Sequence, residues 1–424
     1  MSDFFNGKKV LVAGVGVSGT GAKEALLELN VPVCTYCDGE PFKSDDYGAI
    51  ILSPSFEKTH FLYAFAKERN VPIMSEYELG CALNEKPLIA VTGTNGKTTV
   101  VGMIDSIFTL SQKTALCGNV GVSFASLAAG GNYDVAITEV SSFQLEQTSY
   151  MHPHVAVITN ITPDHLIRHK TMEEYSKIKY SITAHQNSDD WLVLPYESEL
   201  YGLAQLSTRA KVAYVSTHKK TDGAYIKDGA VYFYGEHITA LPNQEYLSIP
   251  HNVENALFAV AVSKIFGISN EDIKLGLERF APRDHRIQLV NVINGVRFYN
   301  DSKSTNVDST LKALLSMKGS VALILGGSEK GLDYADLFKK LTNVIRICVI
   351  GEIADSLIVT AKEYGFSEIY KCEDIEKATV CAYLVSPDNV LLSPGSASYG
   401  MFASYKQRGE KFIQAVMRIA NGKL

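Results

Sequence analysis

The chain has 424 residues, 46% hydrophobic and 20% charged, an ordinary globular composition with apolar material for about two to four domains. Its net charge of −6 leaves no basic footprint and argues against nucleic acid as a partner. No apolar run is long enough to span a membrane. The seven cysteines are scattered and odd in number, and the first strand follows the N-terminus with no signal-peptide pattern, so a cytoplasmic protein is expected.

Residues 1–86 read as a small α/β unit. A strand at 9–13 leads into a glycine-rich turn and a helix reaching about residue 30. Strands at 31–37 and 47–52 and a helix at 61–70 follow, and this alternation predicts a parallel sheet. Gly14, Gly16 and Gly19, with Ser18 between them, fit Gly-x-Gly-x-x-Gly. Asp38 lies 19 residues after Gly19, where a ribose-binding carboxylate belongs in a dinucleotide fold. Three readings stand here: an NAD-dependent dehydrogenase, a half-fold that holds a nucleotide diphosphate, and a turn without ligand. The next phosphate loop comes too soon for a second mononucleotide-binding half, and the length fits the half-fold better. Cys34 and Cys37 form a Cys-x-x-Cys on a strand, which points them to opposite sides; they read as incidental.

A second unit spans 87–282. The apolar strand Leu88–Thr92 runs into Gly93-Thr94-Asn95-Gly96-Lys97-Thr98-Thr99, and helical apolar spacing follows. A strand, a glycine-rich loop and a helix N-terminus with Lys-Thr make a phosphate cradle: backbone N–H groups face the anion, Lys97 adds a point charge, and a hydroxyl reaches Mg²⁺. The usual pattern has an outer glycine where this chain has Val91, so the loop is a short variant. Glu139 ends a strand at 134–139, and an acidic residue there serves either Mg²⁺ or a cap or salt bridge. Asn160 ends another strand, and Asp164-His165 follow. This pair reads as a metal or substrate site, or as a satisfied polar turn. Strands at 191–194 and 211–216, a ribbon at 230–235 and a helix at 252–266 complete the unit. On the helix at 173–179, Lys177 and Lys179 differ by about 200° around the axis. Lys179 shares the face of Tyr175 and is expected to point inward, where a lysine is costly unless modified or paired.

The third unit spans 283–424, with strands at 290–293, 296–300, 321–327, 345–351 and 389–394. The segment Asn300-Asp-Ser-Lys-Ser-Thr-Asn306 concentrates an anion, a cation and several hydroxyl and amide groups after a strand. The loops from Leu325 to Gly331 and from Leu391 to Ser398 also end strands. In an open parallel sheet these carboxyl ends line the ligand crevice.

Together these residues resemble the Mur ligase family, the ATP-dependent amide ligases that build the peptidoglycan stem peptide. The resemblance spans essentially the whole chain: the short loop at Gly93, Glu139 to Glu146, Asn160 to His165, Lys179, His251 to Asn255, His285-Arg286, Asp301 to Thr305 and Leu392 to Ser398. The Ser-Ser-Phe-Gln-Leu-Glu and Asp301-Ser-Lys segments point to the branch that adds D-glutamate. The resemblance implies a three-domain α/β fold: a UDP-binding Rossmann-like domain, a central P-loop ATPase domain with a parallel sheet, and a C-terminal Rossmann-like domain. The implied partners are UDP-N-acetylmuramoyl-L-alanine and D-glutamate, with ATP and two Mg²⁺ ions as cofactors. The implied chemistry is an acyl phosphate and then a tetrahedral intermediate, in a monomer.

By the same resemblance, Lys97, Glu139, His165 and Lys179 form the catalytic group. Gly93, Thr94, Asn95, Gly96, Lys97, Thr98, Thr99, Asn255, Arg286 and Asp301 would contact ATP. Thr98 and Glu139 would hold one Mg²⁺; His165 and a carbamylated Lys179 would hold the other. Gly14, Gly16, Ser18, Gly19, Asp38, Ser53, Asn119 and Ser141 would serve the nucleotide substrate. Lys303, Thr305, Ser398 and Tyr405 would receive D-glutamate, and Lys330 would be a basic residue at the substrate cleft. Two departures are visible in the first unit: Ser53-Pro-Ser55 replaces the family's Ser-Pro-Gly, and no basic residue follows Asp38. Folylpolyglutamate synthase, a ligase of the same superfamily, would share the loop, metals and lysine; the Asp301-Ser-Lys-Ser-Thr segment argues against it.

Overall fold

The computed structural model describes residues 3–53, 56–146, 148–196, 208–282 and 284–423. Pro54 and Ser55 of the Ser53-Pro-Ser55 segment lie outside the described residues. The chain forms two compact units: Met1–Ile161, Tyr175–Ser248 and Asn252–Phe280 make the first, and Thr162–Glu174, Ile249–His251 and Ala281–Leu424 the second.

The first unit contains two sheets. In one, β1 (Lys9–Ala13), β2 (Val33–Tyr36), β3 (Tyr47–Leu52) and β4 (Ile73–Met74) run parallel in the order β2-β1-β3-β4. The helix Glu76–Leu83 joins this layer to the next. Its buried Glu76 accepts hydrogen bonds from the Ser123 hydroxyl at 2.6 Å and the Ala125 N–H at 2.9 Å. Glu78, on the same helix, accepts the N–H groups of Ser149 and Tyr150. Burial pushes both carboxyls up in pKa and these hydrogen bonds oppose it, the pattern of buried acids that serve as staples.

The larger sheet comprises β5 (Leu88–Thr92), β6 (Thr114–Gly118), β7 (Val135–Glu139), β8 (Val155–Ile158), β9 (Trp191–Pro195), β10 (Lys211–Ser216), β11 (Gly223–Lys227), β12 (Ala230–Phe233) and β13 (Glu236–Ala240). Their order is β13-β12-β11-β10-β9-β8-β5-β7-β6. Pairing is parallel from β6 through β11 and antiparallel at the β11–β12–β13 edge. Every residue of β5 is buried. Ile89 and Val91 pack on one face with Ile104 and Phe258, and Leu88 and Ala90 on the other with Phe124 and Ile182. A strand covered on both faces reads as an unbroken apolar run, as this one does.

The second unit is built on β14 (Gln288–Ile293), β15 (Val296–Asn300), β16 (Val321–Gly326), β17 (Val344–Ile350), β18 (Ile369–Lys371) and β19 (Asn389–Leu392), in the order β14-β15-β19-β16-β17-β18. All pairs are parallel except the β14–β15 hairpin. Its turn residues Asn294 and Gly295 have φ of 49° and 86°, the left-handed pair that a two-residue hairpin needs. The protein is thus α/β with largely parallel sheets, as the alternation predicted. Among the described residues, no helix is long and apolar enough to cross a membrane.

Candidate active site

The phosphate loop joins β5 to the helix Lys97–Phe108. Gly93 and Gly96 have φ of 141° and 88°, a region costly for residues with a Cβ. A Cβ on Gly93 would lie 1.9 Å from the Thr159 hydroxyl, and one on Gly96 2.6 Å from Asn255 Oδ1. The loop is held from the end of β8. The Thr94 N–H donates to the Asn160 carbonyl at 2.8 Å, and the Asn95 N–H to Asn160 Oδ1 at 2.9 Å. The Asn95 carbonyl accepts from Thr159 Oγ1 at 2.6 Å and Asn160 Nδ2 at 3.0 Å. Lys97 Nζ caps the carbonyls of Gly93 and Thr94, each at 2.9 Å. Asn255, far away in sequence, sits against Gly96 of the loop.

Glu139 ends β7 and is 2% exposed. Its two oxygens accept from Thr98 Oγ1 at 2.6 Å and from Asn119 Nδ2 at 2.7 Å. Asn119 is fixed by its own N–H, which donates to the Glu139 carbonyl at 2.8 Å. A buried carboxylate beside a hydroxyl and an amide, at the first turn after a phosphate loop, is the hard-oxygen set that Mg²⁺ prefers. The residues present fit that ion.

Lys179 is 1% exposed, whereas Lys177 is exposed. Lys179 Nζ donates to the Gly93 carbonyl at 2.9 Å and lies 3.5 Å from Thr92 Oγ1. It is also 4.8 Å from the centre of the Tyr175 ring, and the Tyr175 hydroxyl is 3.2 Å from Thr94 Oγ1. The inward lysine therefore reaches the loop's first glycine. Ser141 caps the short helix Ser142–Leu145 in a capping box with Gln144, a structural duty alongside its predicted one.

Of the predicted nucleotide residues, Gly14, Gly16, Ser18, Gly19, Asp38 and Ser53 lie at or just after the ends of β1, β2 and β3, whereas Asn119 and Ser141 follow β6 and β7 of the larger sheet. Gly16 is the N-cap of the helix Val17–Glu28, which carries Ser18. A Cβ on Gly19 would fall 1.9 Å from the Gly14 carbonyl, and one on Gly14 2.8 Å from Ser53 Cβ. Asp38 Oδ1 accepts the Gly39 N–H at 3.1 Å and lies 3.2 Å from His60 Nε2. His60, 22 residues on, is the ring that meets Asp38.

The second unit carries its own polar cluster. Asp164 is buried; its carboxylate accepts from Lys330 Nζ at 2.5 Å and Asn306 Nδ2 at 3.2 Å. Burial would raise the Asp164 carboxyl, but the charges of Lys330 and His165 and the Lys330 hydrogen bond outweigh it and hold the group below the usual carboxylate range. Lys330 also donates to the Thr305 carbonyl at 3.1 Å. His165 follows with φ of 54°, its N–H on Asp164 Oδ1 at 2.9 Å and its Nε2 3.7 Å from Asp164 Oδ2. The polar-turn reading fits Asp164 and leaves the His165 ring 37% exposed. His165 belongs to the second unit and Lys179 to the first.

Asp301 continues β15, its N–H on the Leu392 carbonyl at 2.8 Å. Its carboxylate accepts from Ser393 Oγ at 2.8 Å and the Ile287 N–H at 3.2 Å. Burial pushes this carboxyl up to about 6, against the opposing pull of Ser304, Ser393 and the Arg286 charge. Lys303 Nζ lies 4.1 Å from the centre of the Tyr405 ring, and Ser398 is buried nearby in sequence to that helix. Sequence reasoning missed Arg408. It is fully buried and donates to Ser302 Oγ, the Ser302 carbonyl and the Ser396 and Ala397 carbonyls at 2.8–3.2 Å. One guanidinium fork thus ties the Asp301 loop to the Ser398 loop.

Fold and loops define an α/β protein with a phosphate-binding loop backed by a carboxylate. Residues 91–263 match the family description "Mur ligase middle domain" and residues 285–397 match "Mur ligase, glutamate ligase domain". The chain is 35% identical to the UDP-N-acetylmuramoylalanine--D-glutamate ligase of Streptococcus thermophilus, over 97% of this chain and 98% of that protein. Identity to the ligase of the same name from Ligilactobacillus salivarius is 36%, over 99% and 98%. Among solved structures, MurF from Acinetobacter baumannii superposes with a TM-score of 0.65 at 18% identity, covering 99% of this chain and 93% of that one. MurC from Thermotoga maritima gives 0.64 at 18%, covering 97% and 100%. This chain belongs to the Mur ligase family.

Proposed function

We propose that this protein is an ATP-dependent amide ligase that joins D-glutamate to the carboxyl group of UDP-N-acetylmuramoyl-L-alanine, a step in building the peptidoglycan precursor. The observation that carries this reading is the near full-length match, at 35–36% identity, to ligases named for that reaction. The Thr98–Glu139 pair beside the loop supports it. So does the similarity of fold to a MurF structure in complex with ADP, TM-score 0.62 at 15% identity.

In this reading, residues 1–86 hold the uridine nucleotide, 87–282 hold ATP and 283–424 receive D-glutamate. The loop N–H groups and Lys97 hold the β- and γ-phosphates, and Asn255 braces the loop from behind. Thr98 and Glu139 would hold a Mg²⁺ ion, which when bound neutralises phosphate charge and draws electron density from the γ-phosphorus. The substrate carboxylate attacks the γ-phosphorus, and the bond to the ADP oxygen breaks. The D-glutamate amine then adds to the acyl phosphate carbon, and phosphate leaves as the amide forms. The positive groups Lys303 and Arg286 offer partners for the carboxylates of D-glutamate and for ATP. Lys179 is assigned as a carbamate, formed when its neutral amine adds CO₂ and releases a proton. That change replaces a buried cation by an anionic oxygen ligand.

Phosphate release in a panel of amino acids tests the assignment. Release is expected only with ATP, the muramoyl-alanine nucleotide and D-glutamate together. Equal release with L-glutamate or meso-diaminopimelate would refute the assigned specificity.

A further inference from the structure

Three sulfurs come together in the second unit, in a place the ligase reading does not use. Cys348 lies in β17 and is buried; Cys372 follows β18; Cys381 lies on the helix Ile375–Tyr383. Their Sγ atoms all lie within 4.8 Å of one another. The register explains the meeting. Cys348 pairs with Tyr370 across β17 and β18, and the Cys372 N–H donates to the Val349 carbonyl at 2.9 Å, which extends that ladder. Ile375, Ala378 and Ala382 of the helix share a core with Cys348, and Cys381 packs against it.

Three thiolates around one metal at bonds of about 2.3 Å have sulfurs roughly 3.8–4.0 Å apart. The three Sγ atoms, all within 4.8 Å of one another, are near enough for small side-chain shifts to reach that spacing. A disulfide would join only two of the three, at about 2.05 Å, and strand the third. No imidazole or carboxylate belongs to the group among the described residues, so the donor set is all sulfur, the set that selects soft metals. Cys372 and Cys381 are half-buried rather than sealed off, which gives an ion a way in. A cation stands beside the thiols. The Arg346 guanidinium donates to the Cys381 carbonyl at 3.3 Å and lies 4.6 Å from the centre of the Tyr370 ring. The guanidinium also pairs with the Glu368 carboxylate at 3.3 Å, and its buried Nε has no partner among the described residues.

We propose that Cys348, Cys372 and Cys381 form a three-thiolate site for a soft, thiophilic metal ion, Zn²⁺ or Cu⁺, which fastens the edge strand β18 and the helix after it to β17. Each thiol gives its S–H proton to solvent as its sulfur binds the ion.

The test uses the full chain, reduced with a phosphine and titrated separately with Zn²⁺ and with Cu⁺, then desalted and analysed for metal. Cd²⁺ replaces the spectroscopically silent Zn²⁺ to read thiolate-to-metal charge-transfer absorption. One equivalent of one of the two ions should be retained, which also says which ion it is. Cys372→Ser/Cys381→Ser should lose that equivalent and the absorption, while Cys34→Ser/Cys37→Ser keeps both. On the unmodified chain, the same ion should slow alkylation of Cys372 and Cys381 and not of Cys34, as mapped by mass spectrometry. No retained equivalent, equal loss in both double variants, or unprotected Cys372 and Cys381 would overturn the proposal.

Discussion

Lys179→Ala is expected to lower kcat by at least about two to three orders of magnitude, the scale of losing a group that stabilises charge in a closed site, and added formate or acetate should restore part of it. The residue is 1% exposed and its Nζ meets the Gly93 carbonyl at 2.9 Å, so it touches the loop that would hold the γ-phosphate. Alanine would remove the proposed carbamate with its oxygen ligand and open space for a short carboxylate. Lys179→Met keeps the volume without the ligand, so it should be as inactive as alanine and less open to rescue. Turnover within tenfold of the parent would contradict the assigned role. Lost turnover without rescue would contradict the carbamate alone.

The second large effect is a dependence of stability on pH. Burial raises the Asp301 carboxyl to about 6, whereas an unfolded aspartate titrates near about 3.9. Between these values the folded state binds the extra proton. The stability held by the neutral acid is therefore fully present below about pH 4 and is lost as pH rises through about 6. Asp301→Asn has no proton to lose. Relative to the parent it should gain of the order of 3 kcal/mol between pH 4 and pH 7.5. Urea unfolding at a series of pH values measures this. A difference between the two proteins that stays flat with pH would show that Asp301 is ionised at no net cost.

Local chemistry was readable and distant pairing was not. The loop at Gly93 announces itself within a dozen residues, because glycine, lysine and threonine at a strand–helix junction have few other uses. Lys179 was legible from helical spacing alone: Tyr175 and Lys179 are buried and Lys177 is exposed. The partners that hold the polar groups of each unit come from far away. Asp164 meets Lys330 and Asn306 across 166 and 142 residues, and His60 reaches Asp38 across 22. Nothing local encodes those meetings. Arg408 left one signal that went unread. It shares the buried face of the helix Tyr405–Ala420 with Phe412, Ala415, Val416 and Ile419, and a charge on an apolar stripe marks a buried ion that needs partners. The strands β4 and β18 span two and three residues, too short for any period to show. Cys34 and Cys37 form a motif by their spacing, yet the three sulfurs that meet are those of Cys348, Cys372 and Cys381, brought together by strand register and helix packing.

In the proposed reaction, ATP drives amide formation by phosphorylating the carboxyl group of the nucleotide substrate. Following oxygen-18 from that carboxyl tests it most directly. With labelled UDP-N-acetylmuramoyl-L-alanine, D-glutamate and ATP, each phosphate released should carry one labelled oxygen, matched by one glutamyl product and one ADP. Unlabelled phosphate, or label in AMP, would rule out an acyl phosphate.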